Sequence, residues 1–212
     1  MTDTDAHQLG PDRSGEKWIS TAVTALLFAI LIGLCVILVI RAMQPPTQQS
    51  HPWVGSKLTD VDFTPLLNAD QPITAASLQG QVTLINFWGP WCPPCLMELP
   101  GLVRLSRDLE KEGADFQFVA VSCSRDAVNG RENVQQLTGE SADILQKINI
   151  IGLPVYADAA GAARTELNSI ATFRAYPTTL LIDRNGVVTR VWEGAFDMDV
   201  FRDAVELELS KG

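Results

Sequence analysis

Histidine is nearly absent and cysteine is scarce in this chain, with two of the former and four of the latter among 212 residues. Both shortages bear on metal binding. A structural zinc site wants about four ligands, yet neither His7 nor His51 lies near the close pair Cys92 and Cys95, and Cys35 sits inside an apolar run. No metal site is expected. Clusters of lysine and arginine are also missing, and the formal net charge is -9. A face that binds nucleic-acid phosphates needs such clusters, so no nucleic-acid partner is expected and the acidity reads as solubility. Low-complexity tracts are lacking too, and the length allows one domain of ordinary size with attachments.

One stretch lacks charge altogether. Trp18 to Ile40 spans 23 positions without a charged residue, about 34 Å as a helix and enough to cross a hydrocarbon core of about 30 Å. A cleaved signal peptide has a shorter apolar region ending in small residues, and Val39-Ile40-Arg41-Ala42-Met43 offers no Ala-x-Ala pattern. The expectation is an N-terminal tail at 1–17 and an uncleaved single-pass transmembrane anchor at 18–40, in which Cys35 is lipid-facing or packing filler. Arg13 and Lys17 precede the run while Arg41 and Lys57 follow it, so counting positive charges does not orient it. Residues 41–52 are polar and punctuated by Pro45, Pro46 and Pro52, and they read as a semi-rigid linker.

The pair itself sits in Trp91-Cys92-Pro93-Pro94-Cys95, after the apolar run Val82 to Trp88 and before a helix-like stretch. Two thiols three residues apart at a helix start can open and close one small disulfide, and the output of such a device is exchange of an electron pair. Unpaired N–H groups and the positive end of the helix dipole favour a thiolate over a thiol. The first cysteine of such a motif can fall well below the free-thiol pKa of about 8.5. Cys92 is therefore the expected attacking sulfur and Cys95 the resolving one. Pro93 and Pro94 suit a first helical turn, which has no intrahelical use for their missing N–H groups. A dithiol of this kind is usefully anchored where disulfides persist, which places the N-terminus in the cytoplasm and residues 53–212 on the extracytoplasmic, periplasmic side.

From Trp53 onward the pattern reads as a mixed α/β domain. Strands are expected at Leu58 to Phe63, Pro72 to Leu78, Val82 to Trp88, Phe116 to Cys123 and Val155 to Asp158, with helices from the Cys-x-x-Cys corner to about Glu112, at Leu137 to Ile148 and at Ala162 to Ile170. Thr178 to Asp183 and Val187 to Glu193 flank Asn185-Gly186, a strong hairpin signal, and Asp197 to Ser210 closes the chain as a helix. This order suits parallel strands with crossovers that end in an antiparallel edge.

The stretch Asn86-Phe87-Trp88-Gly89-Pro90-Trp91-Cys92-Pro93-Pro94-Cys95, with Glu98, Pro100 and later Tyr176-Pro177-Thr178-Thr179, resembles the membrane-anchored TlpA/ResA-like branch of the thioredoxin superfamily across most of residues 53–212. That resemblance implies a thioredoxin-like fold, a central mixed sheet flanked by helices, behind one N-terminal transmembrane helix. It implies thiol-disulfide exchange without a cofactor, commonly as a reductant of extracytoplasmic protein disulfides in cytochrome c maturation or a related pathway. A membrane thiol-electron donor restores such a dithiol. Cys92 matches the nucleophile, Cys95 its buried partner, Pro100 a helix-kinking proline and Pro177 a cis-proline that faces the dithiol, so that Tyr176 offers its backbone to a substrate strand.

General thioredoxins carry an acidic residue where this chain has Asn86, and an amide cannot accept a proton. Glu98, three residues after Cys95 on an adjoining helix face, matches the glutamate of the TlpA/ResA-like group. It is expected to be partly buried, with a raised pKa, and to take the proton of Cys95. Trp91 is expected to cover the sulfur and join the substrate-docking surface with Tyr176 and Pro177, while Trp88 packs at the strand end. Cys123 is either a third thiol at the site edge or an apolar filler, with filler favoured. The polar segment 124–140 is either a partner-selecting loop or a tolerated insertion. Two other uses of the motif stay open, a disulfide oxidase or isomerase that rests oxidised and a non-catalytic membrane-tethered binding module.

Overall fold

The computed structural model describes residues 26–36, 51–127 and 130–211. Residues 26–36 form helix α1 in a compact unit of their own. Among the described residues no helix is long and apolar enough to cross a membrane. The remainder of the expected anchor at 18–40, the tail at 1–17 and linker residues 41–50 lie outside the described residues.

The second unit is built on one seven-stranded sheet in the order β2-β1-β5-β4-β3-β6-β7. Its strands are β1 Asp62–Leu67, β2 Ile73–Thr74, β3 Val82–Trp88, β4 Phe116–Ser122, β5 Val155–Ala157, β6 Thr178–Ile182 and β7 Val188–Glu193. Four helices flank it, α2 Pro93–Lys111, α3 Val134–Lys147, α4 Ala162–Ile170 and α5 Met198–Leu209. β3 is buried at every position because it lies between β4, to which it is parallel, and the antiparallel β6. That fully buried strand is why its sequence reads as an apolar run rather than an alternation.

Side chains alternate across the sheet, and the two faces have different partners. Val82 and Leu84 pack with Leu102, Leu105 and Phe201 from α2 and α5, while Ile85 and Phe87 pack with Trp53, Val121 and Leu167 on the other face. Asn86 follows the first set and Cys123 the second, so the two residues serve opposite faces. The thioredoxin-like order of parallel crossovers closed by an antiparallel β6–β7 hairpin agrees with the expectation. In that hairpin the Asp183 carboxylate accepts the N–H groups of Asn185 and Val187 at 2.8 and 2.9 Å, and Gly186 takes φ +78.

Three elements depart from the expectation by more than one residue, each for a reason in its hydrogen bonds. The first strand begins at Asp62 rather than Leu58, because the backbone donors of Thr59 and Asp60 go to the Glu166 carboxylate instead of a ladder. The second is cut to Ile73–Thr74, since Ala75–Leu78 turns into a 3-10 helix whose start is tied by the Thr74 N–H to the Ser77 hydroxyl at 3.2 Å. α3 starts one turn early because Asn133 caps it, its side chain accepting the Gln136 N–H at 3.2 Å. Residues 134–140 of the polar segment 124–140 are therefore helix.

Candidate functional site

The corner between β3 and α2 sets the chemistry. Cys92 is the N-cap of α2 in extended conformation, and Pro93 and Pro94 occupy the first two helical positions. Since neither proline has an N–H, the first donor the helix can offer is that of Cys95, and it points at Cys92 Sγ from 3.3 Å. Backbone geometry and helix dipole thus converge on one sulfur. Cys92 and Cys95 are joined as a disulfide with Cα atoms 5.3 Å apart. Both are nearly covered, at 3% and 1% exposure, by a cluster that includes Trp88, Trp91, Leu99 and Tyr176.

Glu98 lies one turn further along α2 and is buried. Burial raises its pKa from the ordinary 4.5 to about 7, against the opposing pull of two donors. Those donors are the Phe196 N–H, 2.9 Å from Oε1, and Asn86 Nδ2, 3.3 Å from Oε2. Asn86 Nδ2 also reaches Thr179 Oγ1 at 2.8 Å. The amide thus orients a carboxylate that α2 supplies, a relationship the sequence did not disclose.

The Tyr176-Pro177 peptide bond is cis. Pairing of Phe87 with Thr178 sets Pro177 level with the end of β3 that leads into the dithiol corner. Tyr176 meets the Trp91 ring edge-on with centroids 5.4 Å apart. The Trp91 indole N–H donates to the Cys123 carbonyl oxygen at 2.9 Å. Gly89 makes that fold possible, because a Cβ there would come within 2.6 Å of the indole nitrogen. Trp88 is fully buried as a packing residue.

Cys123 stands at the predicted edge, its N–H donating to the Trp88 carbonyl at 2.8 Å. It is unbonded, fully buried and packed with Phe87 and Val121 on the face away from Glu98. Burial pushes its thiol up to about 12. That is the environment of a packing residue and suits no nucleophile.

A strand-to-helix corner bearing a Cys-x-x-Cys disulfide beside a cis-proline loop, in this sheet order, defines a thiol-disulfide oxidoreductase of the thioredoxin superfamily. The chain belongs to the Redoxin family, which matches residues 53–205. It is similar to the probable thiol:disulfide interchange protein DsbE-2 of Pasteurella multocida, 26% identical over 178 residues that cover 84% of this chain and 83% of that protein. With the thiol-disulfide oxidoreductase ResA of Halalkalibacterium halodurans it shares 25% identity over 65% of this chain and 68% of the relative. A putative thiol:disulfide interchange protein DsbE from Chlorobium tepidum has the same fold, with TM-score 0.55 and 23% identity over 74% of this chain and 96% of that one.

Proposed function

We propose that this chain is a membrane-anchored reductant of extracytoplasmic protein disulfides, acting in cytochrome c maturation or a related pathway. Its N-terminus is cytoplasmic, the run at 18–40 is its anchor and residues 53–212 face the periplasmic side. The observation that carries the chemistry is the Cys95 N–H aimed at the Cys92 sulfur where α2 begins.

In the reduced domain the Cys92 thiolate attacks one sulfur of a substrate disulfide. That S–S bond breaks, one substrate thiolate leaves and a mixed disulfide forms on Cys92. Cys95 then gives its proton to the Glu98 carboxylate, and its sulfur attacks Cys92 Sγ. The second substrate thiolate leaves and the Cys92–Cys95 disulfide remains. Two electrons have passed to the substrate, whose thiolates take up protons from Glu98 and solvent. A membrane dithiol donor then restores Cys92 and Cys95. Trp91, Tyr176 and Pro177 receive the substrate strand. The names of two relatives, a probable thiol:disulfide interchange protein and a thiol-disulfide oxidoreductase, support the exchange itself.

Reduced full-length protein should reduce insulin, and Cys92→Ser should abolish the reaction. Turnover that survives this change contradicts the mechanism. Titration against glutathione separates direction: a potential at or below about -250 mV supports a reductant, whereas one near about -120 mV marks an oxidase.

A further inference from the structure

A buried ionic cluster meets the aromatic surround of the dithiol at Tyr176 and has no part in the exchange steps. Its centre is Arg164 of α4, whose side chain is 11% exposed. The Arg164 Nε lies 3.2 Å from Asp158 Oδ2, and one terminal nitrogen lies 2.7 Å from Glu132 Oε1 and 3.0 Å from the Gly130 carbonyl oxygen. The other terminal nitrogen reaches the Tyr176 hydroxyl at 3.4 Å. Both carboxylates are fully buried. Burying such charges is costly even when they are paired, so the cluster is weak evidence of a stabilising role. What it does achieve is placement, because one planar fork on α4 joins three other segments of chain, 130–132, Asp158 and Tyr176.

Two of those segments border the site. Glu132 accepts the N–H of Ser124 at 3.1 Å and also its hydroxyl, which ties the chain leaving β4 to the chain entering α3. Gly161 allows this fit, since a Cβ there would overlap the carbonyl oxygen of Gly130. On the other side Tyr176 carries the contact on to Trp91, over whose ring the Arg125 guanidinium sits at 5.0 Å. A groove of about 880 Å³ starts at Trp91 and runs between Ser124, Arg125, Arg131 and Gln136. Its walls mix both charge signs with amides, which suits an extended polar polypeptide better than an apolar ligand.

We propose that Arg164 is a positioning residue for substrate selection, which clamps the Glu132 segment and the Tyr176 hydroxyl into one wall that receives the polypeptide flanking a substrate cysteine. The inference rests on the exchange reaction proposed above. A small disulfide needs only the sulfurs, whereas a protein disulfide brings chain that must lie along this wall.

Steady-state kinetics of full-length protein with insulin and with hydroxyethyl disulfide test the clamp. Arg164→Met should raise the KM for insulin about tenfold more than that for the small disulfide. Arg164→Lys should recover little, because one ammonium cannot bridge two carboxylates and a hydroxyl. Tyr176→Phe should raise the insulin KM by a smaller factor, and the double variant should be no worse than Arg164→Met. Equal slowing of both disulfides in Arg164→Met overturns the proposal, as does an unchanged insulin KM in folded Tyr176→Phe. Wild-type protein inert towards both disulfides overturns the exchange reading itself and this inference with it.

Discussion

Glu98 combines a pKa of about 7 with burial one turn from Cys95. A carboxylate accepts a proton only when ionised, so attack by Cys95 on the mixed disulfide should accelerate as pH rises through about 7. Glu98→Gln should flatten that rise and slow the step at least about tenfold, read by quenched-flow capture of the mixed disulfide. Stability should run the other way. The folded pKa lies above the unfolded one, so the neutral acid favours the folded domain: the contribution is whole below pH 4.5 and is lost as pH rises through about 7. The loss is roughly 3 kcal/mol, and urea titrations of the wild type against Glu98→Gln should diverge across that window. Asn86 donates to the ionised form, hence Asn86→Ala should move the kinetic midpoint upward by about half a pH unit.

Among the elements, the α2 corner was legible because its signals are local: an apolar strand, two prolines at the first turn and two cysteines at fixed spacing. The Asn185-Gly186 hairpin was legible for the same reason. Where side chains from distant sequence satisfy backbone donors, the pattern misleads. Leu58 looks like strand, but Glu166 captures the neighbouring N–H groups, and no spacing rule reaches across that separation. Asn133 caps α3 and carries it one turn ahead of its first expected residue, Leu137. Trp53 is the long-range tie that fixes the start of the domain. It is fully buried, and its indole N–H donates to the Leu167 carbonyl at 2.8 Å on α4. Trp53→Ala should destabilise the domain by about 3 to 5 kcal/mol, seen as a lower urea midpoint with unchanged slope.

At the scale of the molecule, a sheet with two differently committed faces separates the chemistry. One face holds Glu98 through Asn86, and the other buries Cys123 and Arg164 beneath the aromatic wall. Cys92, Cys95 and Glu98 were legible together because they sit at fixed offsets along one helix start, whereas Tyr176 joined them only through the resemblance. The Arg164 cluster was not, because Glu132, Asp158 and Arg164 form no motif and meet only after the crossovers close.

The proposed mechanism makes the Cys92 thiolate a property of the folded α2 corner rather than of the tetrapeptide. The rate of Cys92 alkylation by iodoacetamide, followed against pH in reduced protein with and without urea, measures this directly. A midpoint at least about one pH unit below that of a free thiol, returning to about 8.5 in urea, is the predicted result. The same midpoint near 8.5 in both conditions would contradict a sulfur held as an anion by α2.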